Sequence, residues 1–192
     1  YINTLNQNKS RTKEKVINAC DNLYKRVING DFDEIIKPLL KMADISKEHF
    51  EKMARLFTRE ELEYKCQIEL GNTHPMAGAL KDGTQRMIYP LGILFHIAAG
   101  NVDGLPAYSV IEGLLTGNIN ILKLPAGDNG LSIKLLWELI QLEPALKDYI
   151  YVFDVPSTDV ETLKVFAEIA DGIVVWGGDD AVKAARNMAD IT

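Results

Sequence analysis

Residues 91–123 read LGILFHIAAGNVDGLPAYSVIEGLLTGNINILK, and this stretch decides the fold. Two apolar runs, at about 91–98 and 118–123, are too short for helices, whereas the stretch between them at 105–116 is long enough for one. A buried strand, a crossover helix and a second buried strand in that order make a βαβ unit, whose two strands are parallel. The stretch therefore predicts an α/β protein with a Rossmann-like parallel sheet.

The same alternation continues after residue 123. Two more aliphatic or aromatic runs predict buried strands at 149–153 and 172–176. Helical stretches are predicted at 130–141, 159–170 and 179–190. Four strands joined by crossover helices form an open sheet, and such sheets bind ligands beyond the carboxyl ends of their strands.

The residues before the sheet have helical spacing. One apolar stripe recurs with the helical period, formed by Val16, Ile17, Cys20, Leu23, Tyr24, Val27 and Ile28. Ser46 and Thr58 are placed to begin two later helices, and Gly71 is placed to end the second of them. We predict three segments: a helical segment at 1–71, a connecting loop at 72–84 and an α/β domain at 85–192.

Composition excludes several classes of function. The 192 residues are 47% hydrophobic and 25% charged, and their formal net charge of −6 opposes attraction to nucleic-acid phosphates or anionic lipid. We expect neither a signal peptide nor a transmembrane segment, because these residues show neither pattern. Cys20 and Cys66 lie far apart, which is typical of a reduced protein, so we expect a cytoplasmic location. Since His74 and His96 have no ligand partners at metal spacing, we predict no metal site, and a packed or hydrogen-bonded core role for His96.

Three strand ends carry polar or glycine-rich sequence. Asn101 follows the first strand, where it serves either as a turn or cap residue or as an amide donor aimed into the crevice. Lys123 ends the second strand, either with its head group reaching solvent or as a donor to ribose or phosphate. Gly177 and Gly178 follow the fourth strand, where a helix N-terminus can receive a phosphate, although Asp179 and Asp180 would oppose an anion placed close to them.

These motifs together resemble the aldehyde dehydrogenase superfamily, and within it the LuxC-type acyl-CoA reductases. Three ordered motifs carry the resemblance: PLGILFHIAAGNV at 90–102, GNINILK at 117–123 and VVWGG at 174–178. The resemblance covers residues 85–190 well and the helical segment loosely. It implies that residues 85–192 are a nucleotide-binding domain that is incomplete, with the catalytic domain absent.

The resemblance implies a role for each matching residue. Asn101 matches the amide that stabilises an oxyanion, and Ile97, Ala98 and Ala99 match the backbone beside the nicotinamide. Lys123 matches the lysine that hydrogen-bonds the adenosine ribose.

The cofactor implied is NADPH or NADH. Trp176, Gly177 and Gly178 match the turn over which the cofactor pyrophosphate passes. Where many NAD-preferring relatives have a glutamate, this chain has Ala126, which removes a repulsion against a 2′-phosphate and favours NADPH.

The implied reaction is the reduction of an acyl-CoA substrate to an aldehyde through a cysteine acyl-enzyme. Cys20 and Cys66 lie in segments that the family does not use for chemistry, so we expect a fragment that lacks the nucleophile and is inactive alone. The full-length protein is expected to be a homo-oligomer. Two alternatives stay open: another member of the superfamily, such as a glutamyl-phosphate reductase, and a non-catalytic nucleotide-binding or interaction module.

Overall fold

The computed structural model describes residues 2–42, 44–71, 77–79, 85–87, 89–98 and 104–189, with side chains for all of these except 2–11, 77–79 and 85–87. Its helices are α1 (Ile2–Ile28), α2 (Asp33–Met42), α3 (Lys47–Ala54), α4 (Arg59–Leu70), α5 (Leu105–Leu115), α6 (Leu131–Leu142), α7 (Val160–Ile169) and α8 (Asp179–Ala189). Its strands are β1 (Ala77–Ala79), β2 (Gln85–Met87), β3 (Ile93–Ile97), β4 (Ile119–Lys123), β5 (Ile150–Phe153) and β6 (Gly172–Val175). Short 3-10 helices cover Arg55–Phe57 and Pro144–Tyr149.

The main sheet is parallel, with strand order β5-β4-β3-β6. The chain moves outward from β3 to β4 and β5, then returns to place β6 on the other side of β3. The predicted Rossmann-like parallel sheet with crossover helices is therefore confirmed. The reversal of strand order puts the topological switch point between β3 and β6, where open α/β sheets bind their ligands.

The two faces of the sheet are covered by different helices. On one face, α5 and α6 pack with α1 to α4 into one hydrophobic cluster that includes Leu122 of β4. On the other face, Phe95 and Ile121 pack against Leu163 and Phe166 of α7. Side chains alternate between the two faces along a strand, and helices cover both faces. The strands are therefore largely apolar on both sides, which is why they read as apolar runs in the sequence.

The predicted helix boundaries in the N-terminal segment follow from their caps. The Ser46 hydroxyl accepts a hydrogen bond from the main-chain N of His49 at 3.1 Å, and the Thr58 hydroxyl accepts one from Glu61 N at 3.4 Å. Gly71 ends α4 with a φ of 78°, a conformation that favours glycine. The two hydroxyl contacts satisfy main-chain amides that the N-termini of α3 and α4 would otherwise leave without partners.

The segment predicted as a connecting loop contains β1, which pairs antiparallel with β2 at the start of the predicted α/β domain. Residue Ala77 lies opposite Met87, and Ala79 lies opposite Gln85. Most of residues 72–84 lie outside the described ranges, so the division of the chain at residues 71 and 85 stays a prediction. Within the described ranges, no helix is both long enough and apolar enough to cross a bilayer.

Candidate functional site

The carboxyl ends of the strands meet in register at one edge of the sheet. Ile97, the last residue of β3, lies opposite Lys123 on one side and Val175 on the other. Trp176, which follows Val175, donates its main-chain N–H to the Ile97 carbonyl at 2.9 Å. Two of the predicted cofactor-binding elements, the lysine and the glycine turn, therefore flank the end of β3, at the switch point.

Two predicted site residues, Ala99 and Asn101, lie outside the described residues. The nearest described residues are Ala98, which is buried at the end of β3, and Gly104, which precedes α5 with a φ of 70°. The Gly104 carbonyl accepts the first helical hydrogen bond of α5 from Tyr108 N at 3.0 Å. The oxyanion role of Asn101 stays a prediction.

Lys123 has a buried stem and a hydrogen-bonded head. The residue is 6% exposed, and its Nζ donates to the Ser157 hydroxyl at 3.0 Å. Burial lowers the pKa of Lys123, and the nearby Asp154 carboxylate opposes that shift. An ammonium beside a hydroxyl can bind a sugar hydroxyl or a phosphate at this edge.

Ser157 was missed by the sequence reasoning. It is exposed in the segment that follows β5, where the rule that ligands bind beyond strand ends could have singled it out. Ala126, in the turn after β4, is exposed as well, so its side chain puts no charge at this edge. The segments after β4 and β5 therefore add the Ser157 hydroxyl and the uncharged Ala126 side chain to the Lys123 ammonium, and they also carry the carboxylates of Asp128 and Asp154.

The glycine turn presents exposed backbone at the start of α8. Gly177 and Gly178 are exposed, and α8 begins directly after them. A Cβ added at Gly177 would lie 2.8 Å from the Cβ of Ala181, so only glycine fits that position without a shift. The turn can approach a ligand through its backbone, while the acidic residues Asp179 and Asp180 follow it in the first helical turn.

A buried chain of polar side chains runs behind this turn. The Trp176 Nε1–H donates to the Ser109 hydroxyl at 2.9 Å, and Ser109 Oγ lies 2.7 Å from His96 Nδ1. His96 Nε2 lies 3.0 Å from Asn120 Oδ1. Burial lowers the pKa of His96, partly opposed by its hydrogen bond to Asn120. His96 is a hydrogen-bonded core histidine, as its place inside a strand predicts.

An apolar cavity of about 100 Å³ opens beside Gly104. Its wall comes from the N-terminal helices, α5 and α6, and it includes Leu23, Val27, Phe50, Met53, Leu105, Tyr108 and Leu135. An engineered apolar cavity of about 150 Å³ holds benzene, so a cavity of this size holds about four carbon atoms. The cavity suits part of an apolar chain, and the sequence reasoning did not anticipate it because its wall joins helices far apart in the chain.

Neither cysteine has the properties of a nucleophile. Cys20 is fully buried in α1, and burial, with the Asp21 carboxylate beside it, raises the pKa of the thiol. Burial also raises the pKa of the Cys66 thiol in α4. In the part of the chain that the structure describes, no group of three or more His, Cys, Asp or Glu side chains is placed to hold a metal ion.

Comparison with known proteins gives the family. The family model described as acyl-CoA reductase (LuxC) matches residues 9–191. Three similar relatives are long-chain acyl-protein thioester reductases. Reductase 2 of Photobacterium leiognathi is 30% identical over 52% of this chain and 22% of its own. Those of Photorhabdus luminescens and Vibrio harveyi are 29% and 30% identical over 63% and 59% of this chain, and 26% and 25% of their own. The matched part is thus about a quarter of each relative's length.

A solved structure supports the fold. The crystal structure of gamma-glutamyl phosphate reductase from Thermotoga maritima superposes with a TM-score of 0.50, over 94% of this chain and 47% of its own, at 16% sequence identity. At that identity it bears on the fold and not on the substrate. The predicted resemblance to the LuxC-type acyl-CoA reductases is confirmed by the family model and by these relatives. The chain belongs to the LuxC family of acyl-CoA reductases.

Proposed function

We propose that this chain is the cofactor-binding part of a reductase that converts an acyl thioester into an aldehyde with NADPH. The observation that carries the proposal is the pairing of Lys123 and the glycine turn on either side of Ile97, at the switch point of the sheet. A glycine turn at a helix N-terminus is the type of group that binds the pyrophosphate in open α/β sheets, and a lysine can donate to ribose or phosphate oxygens. The family membership supports reductase chemistry.

The residues at this edge fit a dinucleotide in three places. The Lys123 ammonium and the Ser157 hydroxyl would hold the adenosine ribose, and the exposed turn at Gly177 and Gly178 would approach the pyrophosphate. The backbone after Ile97 would lie beside the nicotinamide. When bound, the dinucleotide supplies the hydride that the reduction requires.

Preference for NADPH is proposed from the charge at this edge. Ala126 is exposed and uncharged, so it would not repel a 2′-phosphate, and the Lys123 ammonium lies three residues earlier, at the end of β4. A carboxylate at position 126 would do the reverse, because it repels a phosphate and accepts hydrogen bonds from ribose hydroxyls.

The thiol that carries the acyl group is proposed to come from outside these 192 residues. Cys20 and Cys66 are buried with raised pKa values, which leaves both as neutral thiols at neutral pH. Asn101 would donate its amide N–H to the oxyanion that forms when the thiolate attacks the thioester carbonyl. We also propose that the full-length protein forms a homo-oligomer.

A long acyl chain is the proposed substrate class. The relatives are named as reductases of long-chain acyl-protein thioesters, and the family model as an acyl-CoA reductase, so the shared chemistry is a fatty acyl thioester. The apolar cavity beside Gly104 offers space for part of such a chain at the N-terminus of α5. Reductase assays with an acyl-CoA and with an acyl-protein thioester would distinguish these two acyl donors.

Titration with NADPH tests the cofactor site. Replacing Lys123 with Met is expected to raise the Kd for NADPH by about tenfold, the cost of one charge-assisted hydrogen bond. Lys147→Met, at an exposed lysine in the 3-10 helix that precedes the amino end of β5, serves as the matched control and is expected to stay within about twofold of the unchanged chain. Equal Kd values for the two variants would contradict the proposed site.

A second variant tests cofactor preference. Ala126→Glu is expected to weaken NADPH by about tenfold and to spare NADH, because the new carboxylate repels only the cofactor with a 2′-phosphate. Tighter binding of NADH than NADPH by the unchanged chain would overturn the preference while leaving the site intact. No binding of either dinucleotide would overturn the proposed function.

A further inference from the structure

The polar chain behind the glycine turn links all the parallel strands. Trp176 follows β6, Ser109 lies on α5, His96 lies on β3 and Asn120 lies on β4. Asn120 Nδ2 also donates to the Asn118 carbonyl at 2.8 Å and to the Tyr149 carbonyl, just before β5, at 3.2 Å. Ser109, His96 and Asn120 are each no more than 1% exposed, so water does not compete for these hydrogen bonds.

The hydrogen bonds between these polar side chains all run in one direction. Because both N–H groups of Asn120 point to carbonyls, its Oδ1 must accept from His96, which puts the imidazole proton on Nε2. His96 Nδ1 then accepts from the Ser109 hydroxyl, and Ser109 Oγ accepts from the Trp176 indole N–H. When His96 is neutral, each of these hydrogen bonds has one donor and one acceptor.

Trp176 is consequently held at two points. Its main-chain N–H bonds to the Ile97 carbonyl, and its indole N–H bonds to Ser109. Two fixed points on one residue define its orientation, whereas one alone would leave rotation about χ1 and χ2. The direction of the polypeptide backbone from Trp176 toward Gly177 and Gly178 therefore depends on a hydrogen bond to Ser109, a buried serine on a different element.

We propose that Ser109 is a positioning residue for dinucleotide binding, which it supports by anchoring the Trp176 indole and so orienting the glycine turn. The inference rests on the proposed function, since the turn has this use only if a dinucleotide binds. Ser109 need not contact the dinucleotide itself. Its contribution passes through one hydrogen bond whose loss can be measured from either end.

A double-mutant cycle on the Kd for NADPH tests this inference. Ser109→Ala removes the acceptor, and Trp176→Phe removes only the indole N–H while keeping an aromatic ring. Each is expected to raise the Kd about three- to tenfold, the range for one neutral hydrogen bond. The double variant is expected to match the single ones rather than their product, because both remove the same bond. Trp137→Phe, at a residue 57% exposed on α6, is the control and is expected to leave the Kd unchanged.

A spectroscopic readout separates orientation from general stability. The indole N–H resonance of Trp176, assigned by its absence from Trp176→Phe, is expected to exchange slowly with solvent and to exchange faster in Ser109→Ala. Multiplied effects in the double variant, or unchanged Kd values in both single variants, would overturn the positioning role even if the unchanged chain binds NADPH. If the unchanged chain binds neither NADPH nor NADH, the proposed function fails and this role fails with it.

Discussion

Replacing Gly113 with alanine should destabilise the protein by about 3–5 kcal/mol. Gly113 lies on α5 where the helix crosses β4, and an added Cβ would lie 1.8 Å from Asn120 Oδ1 and 3.3 Å from Leu94 Cδ1. Asn120 cannot move away without disturbing its bonds to His96 and to two carbonyls, each worth about 1 kcal/mol. Overpacking adds about 1–3 kcal/mol, and the better helix propensity of alanine returns about 1 kcal/mol.

Urea and thermal unfolding measure this effect. For a chain of this length, a loss of about 3–5 kcal/mol lowers the Tm by about 6–20 °C. Gly178→Ala is the control, because a Cβ there meets nothing within 4 Å, and it should change stability by less than about 0.5 kcal/mol. In the background of Asn120→Ser, which shortens the obstructing side chain, Gly113→Ala should cost much less. The reasoning is refuted if Gly113→Ala unfolds within about 1 kcal/mol of the unchanged chain, or if its cost is the same in both backgrounds.

Three further predictions concern protonation, capping and thiol reactivity. The folded pKa of His96 lies below its ordinary value of about 6.5. The unfolded chain therefore binds more protons than the folded chain below that pH. The contribution of His96 to stability is complete above about pH 6.5 and declines as the pH falls. Urea unfolding at pH 7 and pH 5.5 should show this decline, and His96→Gln should reduce it. Replacing Ser46 with alanine removes the N-cap of α3 and should cost about 1 kcal/mol, or about 2–4 °C in Tm; an unchanged Tm would argue against the cap. Cys20 and Cys66 should resist alkylation at pH 8 until denaturant is added, and mass spectrometry that finds either one modified in the folded chain would contradict their burial.

Local signals predicted the elements of this fold well. The apolar run at 91–98 contains β3 (Ile93–Ile97), and the run at 118–123 contains β4 (Ile119–Lys123). Strands buried on both faces carry apolar side chains at most positions, which makes them visible in a single sequence. Capping depends on residues three apart, so Ser46 and Thr58 could also be recognised without a structure.

Long-range relationships were beyond the sequence. The strand order β5-β4-β3-β6 depends on which strand returns to β3, and no local pattern encodes that. The pairing of Ala77–Ala79 with Gln85–Met87 rests on main-chain hydrogen bonds in a segment without alternating side chains. Such contacts depend on the whole fold, so they became visible only in the structure.

The polar chain left a signal that the sequence reasoning did not use. Asn120 stands in the middle of a predicted buried strand, and a buried amide needs partners for all its donors and acceptors. Ser109 in the apolar helix α5 poses the same requirement. Polar residues inside apolar elements indicate that a partner exists, although only the structure shows which one.

The position of β6 in the sheet has a consequence for synthesis on the ribosome. β6 pairs with β3 about 80 residues after β3 has been made, whereas β4 and β5 follow β3 sooner. At about 5–20 residues per second, the second edge of β3 stays without its partner strand for about 4–16 s. During that interval β3 is an apolar edge strand of the kind that pairs with other chains. Chaperone binding to the nascent chain is therefore expected to be strongest between synthesis of β3 and synthesis of β6.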